Sequence, residues 1–287
     1  MPKTIFVTGA TGTIGSQVVS ALSKKPDVVV RAGVRSTAKA AKLKKGNVTP
    51  VDFDYERPET FAALEGVDAL FLLTPFTPDQ VALGTSLVDA AKKAGVKHIV
   101  KLSAIGAEQE PGIQLGRWHR AIEKHIEASG IAWTFLRPNN FMDNFVGFYP
   151  PDKEGVMYLP WGDGACSFID ARDVAAVAAT ALTESGHDGK AYVLTGPEAF
   201  TIGEAAKSIA EVTGRTVKYV DVPEEAAKGA MAGMGMPAWM VDAMMELHAV
   251  DKAGHASVVT SVVKETTGQT PRSFSDFARD HAAKWKI

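Results

Sequence analysis

A glycine-rich segment near the start of the chain has the spacing of a phosphate-binding turn. The segment from Val7 to Gly15 (VTGATGTIG) follows a short β-branched run and precedes a helical stretch. In this setting Gly9 makes the tight turn, Gly12 lets the backbone approach a pyrophosphate, and Gly15 lets the helix pack against the strand. Free N–H groups at the helix N-terminus then face the phosphates. The segment predicts dinucleotide binding, and the alternative is a glycine-rich turn without a ligand.

The residues after the second predicted strand indicate which dinucleotide binds. No acid stands about 20 residues after the glycines to bind a ribose 2′-hydroxyl, and Arg35 occupies that place. A guanidinium suits a 2′-phosphate by charge and by geometry, so we predict NADP(H) rather than NAD(H). Arg31, Lys39 and Lys42 add positive charge. Two alternatives stay open: Arg35 is only a solvated cation, and Asp54 either meets the adenine or is a turn residue.

The helix after the fifth predicted strand carries the best candidates for proton transfer. His119 and Glu123 are four residues apart and therefore share one face of that helix. The carboxylate would orient the imidazole and raise its pKa, which makes His119 a proton donor near neutral pH. Ser103 stands at the end of a strand, where parallel sheets place their ligands. The alternatives are a surface ion pair for the first two residues and a simple turn for the serine.

Other chemistries find no support in the residue pattern. The seven histidines show no close metal-ligand spacing, and Cys166 is the single cysteine. Lys and Arg total 31 and Asp and Glu total 33, a balance that argues against binding nucleic acid mainly by charge. No apolar run reaches the roughly 18 residues that cross a bilayer. We therefore expect a cytoplasmic protein with no metal, nucleic-acid or membrane partner.

The elements that hold these residues read as an α/β framework. Strands are predicted at Thr4–Thr8, Val28–Val34, Val48–Phe53, Ala69–Leu73, Ile99–Ser103 and Ala132–Leu136. Helices are predicted at Ile14–Ser23, Thr37–Lys45, Glu59–Leu64, Asp79–Ala94 and Trp118–Ser129. Alternating strands and helices, with continuous apolar runs in the strands, predict a Rossmann-type, doubly wound parallel sheet covered on both faces.

The regular alternation of predicted strands and helices ends after Arg137. Residues 138–165 are rich in Pro, Gly and aromatics, and the chain from Thr201 is mostly helical, with a strand at Val217–Val222. Thr201 and Glu204 have the spacing of a capping box. We therefore predict a nucleotide-binding domain from 1–136 plus 167–196. A smaller, mainly helical C-terminal substrate lobe would come from 137–166 plus 197–287.

The smaller lobe is rich in adaptable apolar side chains. Six of the nine methionines lie between Met231 and Met245, with Trp239 among them. Further aromatic residues precede them in the lobe, namely Phe141, Phe145, Phe148, Tyr149 and Trp161. Methionine packs well against aromatic faces, so these residues predict a lid for a flat hydrophobic substrate, made mobile by Gly229, Gly233 and Gly235. The alternative is ordinary core packing of a helical lobe.

Several segments together resemble the NmrA-like group of atypical short-chain dehydrogenases/reductases. They are the glycine segment with Arg35, Leu72–Pro75 (LLTP), Lys97–Val100 (KHIV), Leu136–Met142 (LRPNNFM) and Phe168–Ala175 (FIDARDVA). The resemblance covers essentially the whole chain, and it is to members of the quinone-reductase and triphenylmethane-reductase type. One feature departs from typical short-chain reductases, since the helix with His119 holds no Tyr-x-x-x-Lys. The single match, Tyr149 to Lys153, contains two prolines that argue against a helix.

The resemblance implies roles for further residues. The dinucleotide would be held by Gly9, Thr11, Gly12, Thr13, Ile14, Gly15, Arg35, Asp54, Thr74, Pro75, Ser103 and Asn139. His119 and Ser103 would stand near the nicotinamide as the catalytic pair. The substrate pocket would be lined by Asn140, Phe141, Phe145, Met231 and Trp239.

Two functions follow as hypotheses. The first is an NADPH-dependent oxidoreductase that transfers hydride to a small hydrophobic conjugated acceptor, such as a quinone, an imine or iminium ion, or a dye. The second is a non-catalytic NADP(H)-binding redox sensor that acts through a protein partner, because the family also contains NADP-binding regulators. A homodimer is the assembly to be tested.

Overall fold

The computed structural model describes residues 2–286, which form two compact units. The first unit comprises the chain up to Pro138 together with Ala171–Val193. The second comprises Asn139–Asp170 and the chain from Leu194 onward. These boundaries differ by a few residues from the predicted ones at 136, 167 and 196, because the sixth strand extends to Pro138 and the next long helix begins at Ala171.

Residues 2–286 form nine strands. They are β1 (Lys3–Val7), β2 (Val28–Val34), β3 (Val48–Asp52), β4 (Ala69–Leu72), β5 (His98–Leu102), β6 (Ala132–Pro138), β7 (Val156–Leu159), β8 (Lys190–Leu194) and β9 (Lys218–Asp221). The same residues form ten α-helices. They are α1 (Thr13–Leu22), α2 (Gln80–Lys93), α3 (Gln114–Ser129), α4 (Asn144–Gly147), α5 (Ala171–Thr183), α6 (Ile202–Thr213), α7 (Glu224–Gly233), α8 (Ala238–Lys252), α9 (Val262–Thr267) and α10 (Phe274–His281).

The first unit is built on a seven-stranded sheet in the order β3-β2-β1-β4-β5-β6-β8. The strand pairs from β3 to β6 are parallel, and β1 pairs with β2 on one side and β4 on the other. The chain thus winds outward from β1 to β3 and then returns to build the other half. Ligands of such sheets bind at the carboxyl ends of the strands beside this reversal. The predicted Rossmann-type fold is confirmed.

Burial on both faces explains the continuous apolar runs in the strands. All four residues of β4 are buried, as expected for a central parallel strand. Helices α1 and α5 pack against each other, and so do α2 and α3. The core that α2 and α3 share with the sheet includes Leu72, Ile99, Ile122, Ile126 and Phe135.

One predicted helix of the first unit is wrong, and a second is a 3-10 helix. The segment Thr37–Lys45 forms turns and a short 3-10 helix at Ala41–Leu43, with only Ala40 buried. Without an apolar stripe to pack, a short lysine-rich segment gains too little to pay for helix nucleation. The segment predicted at Glu59–Leu64 is a 3-10 helix at Pro58–Leu64. The helix that carries His119 begins earlier than predicted, at Gln114.

The second unit has its own core and a small parallel sheet of β7 and β9. Its core joins aromatic side chains from both of its chain segments, including Phe145, Trp161, Phe168, Phe200 and Phe274. Helix α6 begins with the predicted capping box, in which Glu204 N donates to Thr201 Oγ1 (3.2 Å) and Thr201 N donates to Glu204 Oε2 (2.8 Å). Strand β7 lies in the stretch that we predicted to be irregular, because four residues show too little periodicity to detect.

Candidate active site

The glycine turn owes its shape to two positions where no side chain fits. Gly9 has a φ of +62°, a left-handed conformation that favours glycine. A Cβ on Gly15 would lie 2.1 Å from the carbonyl oxygen of Gly9, so the start of α1 touches the turn directly. Gly12 N donates to the same oxygen at 2.9 Å. The turn after β1 is therefore a tight backbone cradle.

The N-terminus of α1 presents free hydrogen-bond donors beside this cradle. Gly12 is the N-cap residue and offers no side-chain cap, and the first turn of α1 contains no acid. Thr11, Gly12 and Thr13 are exposed, whereas Ile14 is buried beneath them. The first N–H groups of a helix lack intrahelical partners and carry a partial positive charge. The site is therefore suited to a phosphate group.

Arg35, just past β2, is exposed and forms no hydrogen bond or ion pair within residues 2–286. Its neighbour in the strand is engaged, because Arg31 Nη1 donates to the carbonyl oxygens of Ala63 (2.9 Å) and Glu65 (2.6 Å). Lys39 and Lys42 are exposed on the irregular segment that follows. Arg35 is thus the cation nearest to β2 that is available to an anionic ligand.

Asp54 is a turn residue, which is the second of the two roles we considered for it. Its Oδ1 accepts a hydrogen bond from Glu56 N at 3.1 Å, and its own N–H donates to Thr60 Oγ1 at 3.0 Å. Arg57 Nε lies 3.7 Å from its other carboxylate oxygen. The carboxylate shapes the turn after β3, and a contact of Asp54 with the cofactor stays a prediction.

The ends of β1 and β4 are locked together at the point where the sheet order reverses. The buried Thr8 hydroxyl accepts from Leu73 N at 2.8 Å and lies 3.0 Å from Leu73 O and 3.1 Å from Phe71 O. Tyr55 Oη also donates to Leu73 O, at 2.8 Å. Thr74 and Pro75 follow directly and are half-buried. These hydrogen bonds fix where Thr74 and Pro75 leave the sheet.

His119 does not pair with Glu123 as predicted, but with a lysine of the sheet. Lys101, in β5, is completely buried, and its Nζ lies 2.8 Å from His119 Nδ1. Burial, followed by the charge of Lys101, holds the pKa of His119 well below its usual value. The prediction that a carboxylate raises this pKa is wrong. The histidine is neutral at physiological pH.

Glu123 is instead the centre of a buried network that ties α3 to β5 and β6. It is 0% exposed, accepts from Ser103 Oγ at 2.7 Å, and pairs with Arg137 Nη2 at 2.8 Å and Arg120 Nη1 at 3.1 Å. Burial opposes ionisation, but hydrogen bonds from Arg137 and Ser103 outweigh it and lower the pKa of Glu123. The surface ion pair that we weighed for Glu123 is also wrong. Ser103 is buried, with its proton directed at a carboxylate.

A model of the NmrA-like family matches residues 1–277. The chain belongs to the NmrA-like family. The resemblance predicted from its segments is therefore confirmed.

Proteins similar to this chain include named reductases. The chain is 44% identical to NAD(P)H azoreductase of Xenophilus azovorans, over 97% of this chain and 98% of that protein. A structure of the Escherichia coli NADPH-dependent quinone oxidoreductase with NADPH superposes with a TM-score of 0.87 at 29% identity, covering 96% and 99% of the two chains. The Citrobacter sp. triphenylmethane reductase with NADP(H) gives 0.84 at 29%, covering 97% and 99%.

Two consecutive asparagines, Asn139 and Asn140, follow β6 and belong to the second unit. Asn139 is buried, and its Nδ2 donates to Ala256 O at 2.7 Å and Ser167 Oγ at 2.8 Å. Its Oδ1 accepts from Asn140 N at 2.9 Å. Both ends of its amide are bound to protein, so Asn139 has a structural role here, and its contact with the cofactor stays a prediction. Asn140 Nδ2 donates to Asp251 Oδ1 at 3.0 Å.

The predicted pocket residues of the second unit differ in their surroundings. Phe145 is 0% exposed and packs edge-on against Phe168 and Phe274, so it is a core residue and not part of an open pocket. Here the alternative of core packing holds. Phe141, Met231 and Trp239 are half-buried and keep a surface that a ligand can contact.

The sequence pattern did not predict the buried ionisable side chains of Lys101, His248 and Asp251. Lys101 had a detectable signal, since a lysine inside an apolar strand and two residues before Ser103 must face the same helix as that serine. His248 and Asp251, both buried on α8, had none, because only tertiary packing covers them. Burial lowers the pKa of His248 to about 4 and raises that of Asp251 to about 8.

No helix within residues 2–286 is long and apolar enough to cross a membrane. Within the same range, no group of three or more His, Cys, Asp or Glu side chains is arranged to hold a metal ion.

Proposed function

We propose that this protein is an NAD(P)H-dependent reductase that transfers hydride from NADPH to small, flat, conjugated acceptors such as azo dyes and quinones. The observation that carries the proposal is 44% identity to NAD(P)H azoreductase along 97% of the chain. Structural likeness to a quinone oxidoreductase and a triphenylmethane reductase supports the same acceptor class. A small molecule is the proposed partner, and a homodimer and a cytoplasmic location stay predictions.

The residues of the first unit fit a dinucleotide phosphate. The contact between Gly15 and the Gly9 carbonyl leaves a side-chain-free cradle, and exposed N–H donors of α1 stand beside it. Arg35 is exposed and unpartnered within the described chain, as a ligand for a 2′-phosphate should be before binding. The proposed cofactor contacts are Gly9, Thr11, Gly12, Thr13, Ile14, Gly15, Arg35, Thr74 and Pro75.

When bound, NADPH supplies the hydride, and the residues of this chain position the acceptor and supply the proton. His119 is our candidate donor. Because Nδ1 accepts from Lys101, the ring proton sits on Nε2, which has no partner within residues 2–286 and is not among their fully buried atoms. The buried network of Glu123, Ser103 and Arg137 fixes α3 against the sheet and so holds His119 in place.

In the second unit, Asn140, Phe141, Met231 and Trp239 remain the candidates for contact with the acceptor. Three of them present apolar or aromatic surface, which suits a conjugated molecule. Such an acceptor takes hydride at a polarised double bond and then needs a single proton, so one positioned donor is sufficient. This accounts for a reductase without the Tyr-x-x-x-Lys pair.

The proposal is tested by NADPH consumption with an azo dye, a quinone and a triphenylmethane dye, together with calorimetric titration of NADPH and NADH. We expect NADPH to bind more tightly than NADH and to be oxidised with at least one acceptor. Tight binding without turnover across the panel would favour the redox sensor. Failure to bind either nucleotide would contradict the role of the glycine turn on which both hypotheses depend.

A further inference from the structure

Lys101 is an unusual side chain for the interior of a parallel sheet, because lysine is almost never fully buried unless it is paired. Alternate residues of β5 face α3: Ile99 shares a core with Ile126 of that helix, and Ser103 bonds to Glu123. Lys101 lies between these two on the same face. The strand thus changes from apolar to polar toward its carboxyl end, and Lys101 is the first polar residue in that row.

The hydrogen bonds of Lys101 define the state of His119. An ammonium group has three N–H donors and no acceptor. One bond goes to Leu102 O at 2.9 Å, and a second reaches His119 Nδ1 at 2.8 Å. Nδ1 therefore accepts, and the imidazole carries its proton on Nε2. The Lys101 ammonium and the neutral His119 imidazole are therefore hydrogen-bonded in series. The series ends at His119 Nε2, which has no partner in residues 2–286.

A neutral histidine is a poor acid by itself, because loss of the Nε2 proton leaves a strongly basic imidazolate. A donor already bonded to Nδ1 removes this difficulty, since the second nitrogen gains a proton as the first loses one. We propose that Lys101 is the proton source behind His119 and drives each protonation of the reduced acceptor through the imidazole. This inference rests on the proposed reductase function and extends it by one residue.

Atoms and charge balance in this proton relay from Lys101 through His119 to the acceptor. Hydride adds two electrons and one hydrogen to the acceptor and leaves a negative charge on its second nitrogen or on an oxygen. That atom bonds to the Nε2 proton of His119 as the Nε2–H bond breaks. In the same step an Nζ–H bond of Lys101 breaks and an Nδ1–H bond forms. His119 ends neutral in its other tautomer, and Lys101 ends as a neutral amine. The starting state returns when water protonates His119 Nε2 as the Nδ1–H bond breaks and its proton passes back to Lys101 Nζ, which is itself fully buried.

The charged groups around Lys101 are compatible with release of its proton. Burial is the largest influence, Glu123 of α3 opposes it, and Arg137 of β6 reinforces it, so that the pKa of Lys101 falls to about 7. A group with a pKa near neutrality gives up and regains a proton at comparable rates. The low pKa of His119 keeps the imidazole neutral between turnovers, as the relay requires.

The test is the pH profile of kcat with an azo dye and saturating NADPH. Wild-type kcat should fall about tenfold per pH unit above about pH 7, because only protonated Lys101 can donate. Lys101→Met should lower kcat on the order of 10- to 100-fold and abolish this pH dependence. Lys101→Arg keeps the cation but does not release a proton, so it should lose activity as well. Lys97→Met, at a lysine whose side chain is 80% exposed, is the matched control and should keep the wild-type profile.

A double-mutant cycle separates a relay from a structural role. If Lys101 acts through His119, Lys101→Met combined with His119→Gln should be no slower than His119→Gln alone. Should Lys101→Met fail to fold, Lys101→Arg and His119→Gln still decide the matter. Two results would overturn the relay while leaving the proposed reductase function intact. One is a kcat of Lys101→Arg equal to that of the wild type, and the other is a double variant whose loss of kcat is the sum of the two single losses in free energy. If the wild-type protein oxidises NADPH with none of the acceptors tested, that result would overturn the proposed function and, with it, the relay.

Discussion

A cluster of buried charge lies in the first unit where β5 and β6 face α3. Lys101 and Glu123 are both fully buried, and Arg137 is bonded to the carboxylate. Burying a charge is costly unless partners compensate it, and here each charged group has at least one. The network therefore fixes the side chains on one stretch of α3, which includes His119. The same buried contacts therefore determine both the position of His119 and its protonation state.

Arg35 offers a test of cofactor choice at a single side chain. Replacing it by aspartate removes a bidentate donor for a 2′-phosphate and supplies an acceptor for a 2′-hydroxyl. Arg35→Asp should weaken NADPH binding by roughly tenfold or more and spare or improve NADH binding, as measured by calorimetry. Lys24→Asp, at an exposed lysine after α1, controls for a general loss of positive charge. An unchanged preference for NADPH would remove Arg35 from the cofactor site.

The helices illustrate how far local sequence determines local structure. Helix α6 begins with Thr201 and Glu204, a signal contained in four residues, and its capping box forms as predicted. Long helices with an apolar face, such as α2 and α3, were also predicted, although the start of α3 was not. The segment at 37–45 had helical composition without an apolar face and did not become a helix. Periodicity predicts elements well only where packing rewards it.

Substitution of two glycines tests how an added side chain affects the stability of α7 and α1. Gly229 lies exposed inside α7, and a Cβ there would meet no atom within 4 Å. Gly229→Ala should therefore raise the free energy of unfolding by about 0.5–1 kcal/mol, measured by denaturant titration. Gly15→Ala is the contrasting variant, because its Cβ would lie 2.1 Å from the Gly9 carbonyl, and it should destabilise the protein. A less stable Gly229→Ala would show that this position needs glycine.

The sequence predicted local parts of the site and missed those that depend on distant segments. The glycine turn lies within nine consecutive residues, and its geometry follows from their types. The contact between Lys101 and His119 depends on how a strand faces a helix 18 positions away. The burial of Asn139 and Phe145 was not predicted, because residues as distant as Ala256 and Phe274 cover them. No local pattern reports that burial.

Global stability should depend on pH through Asp251. Burial raises its pKa in the folded protein to about 8, so the folded state retains a proton that the unfolded chain releases above about pH 4. Stability therefore falls as the pH rises from about 4 to about 8 and is level beyond. Asp251→Asn removes this effect, and its gain over wild type should grow with pH by at most about 1.4 kcal/mol per unit, measured by urea unfolding. A gain independent of pH would contradict the assignment.

The discontinuous first unit imposes an order on its own synthesis. Its last helix and strand, α5 and β8, are translated only after residues 139–170 of the second unit. A nascent chain that has reached Pro138 holds six strands of the sheet, with the edge of β6 unpaired. It also lacks α5, which packs on β4, β5 and β6. Open strand edges and bare apolar faces invite association with other chains. The ribosome must therefore add about a fifth of the protein beyond β6 before the nucleotide-binding unit can close.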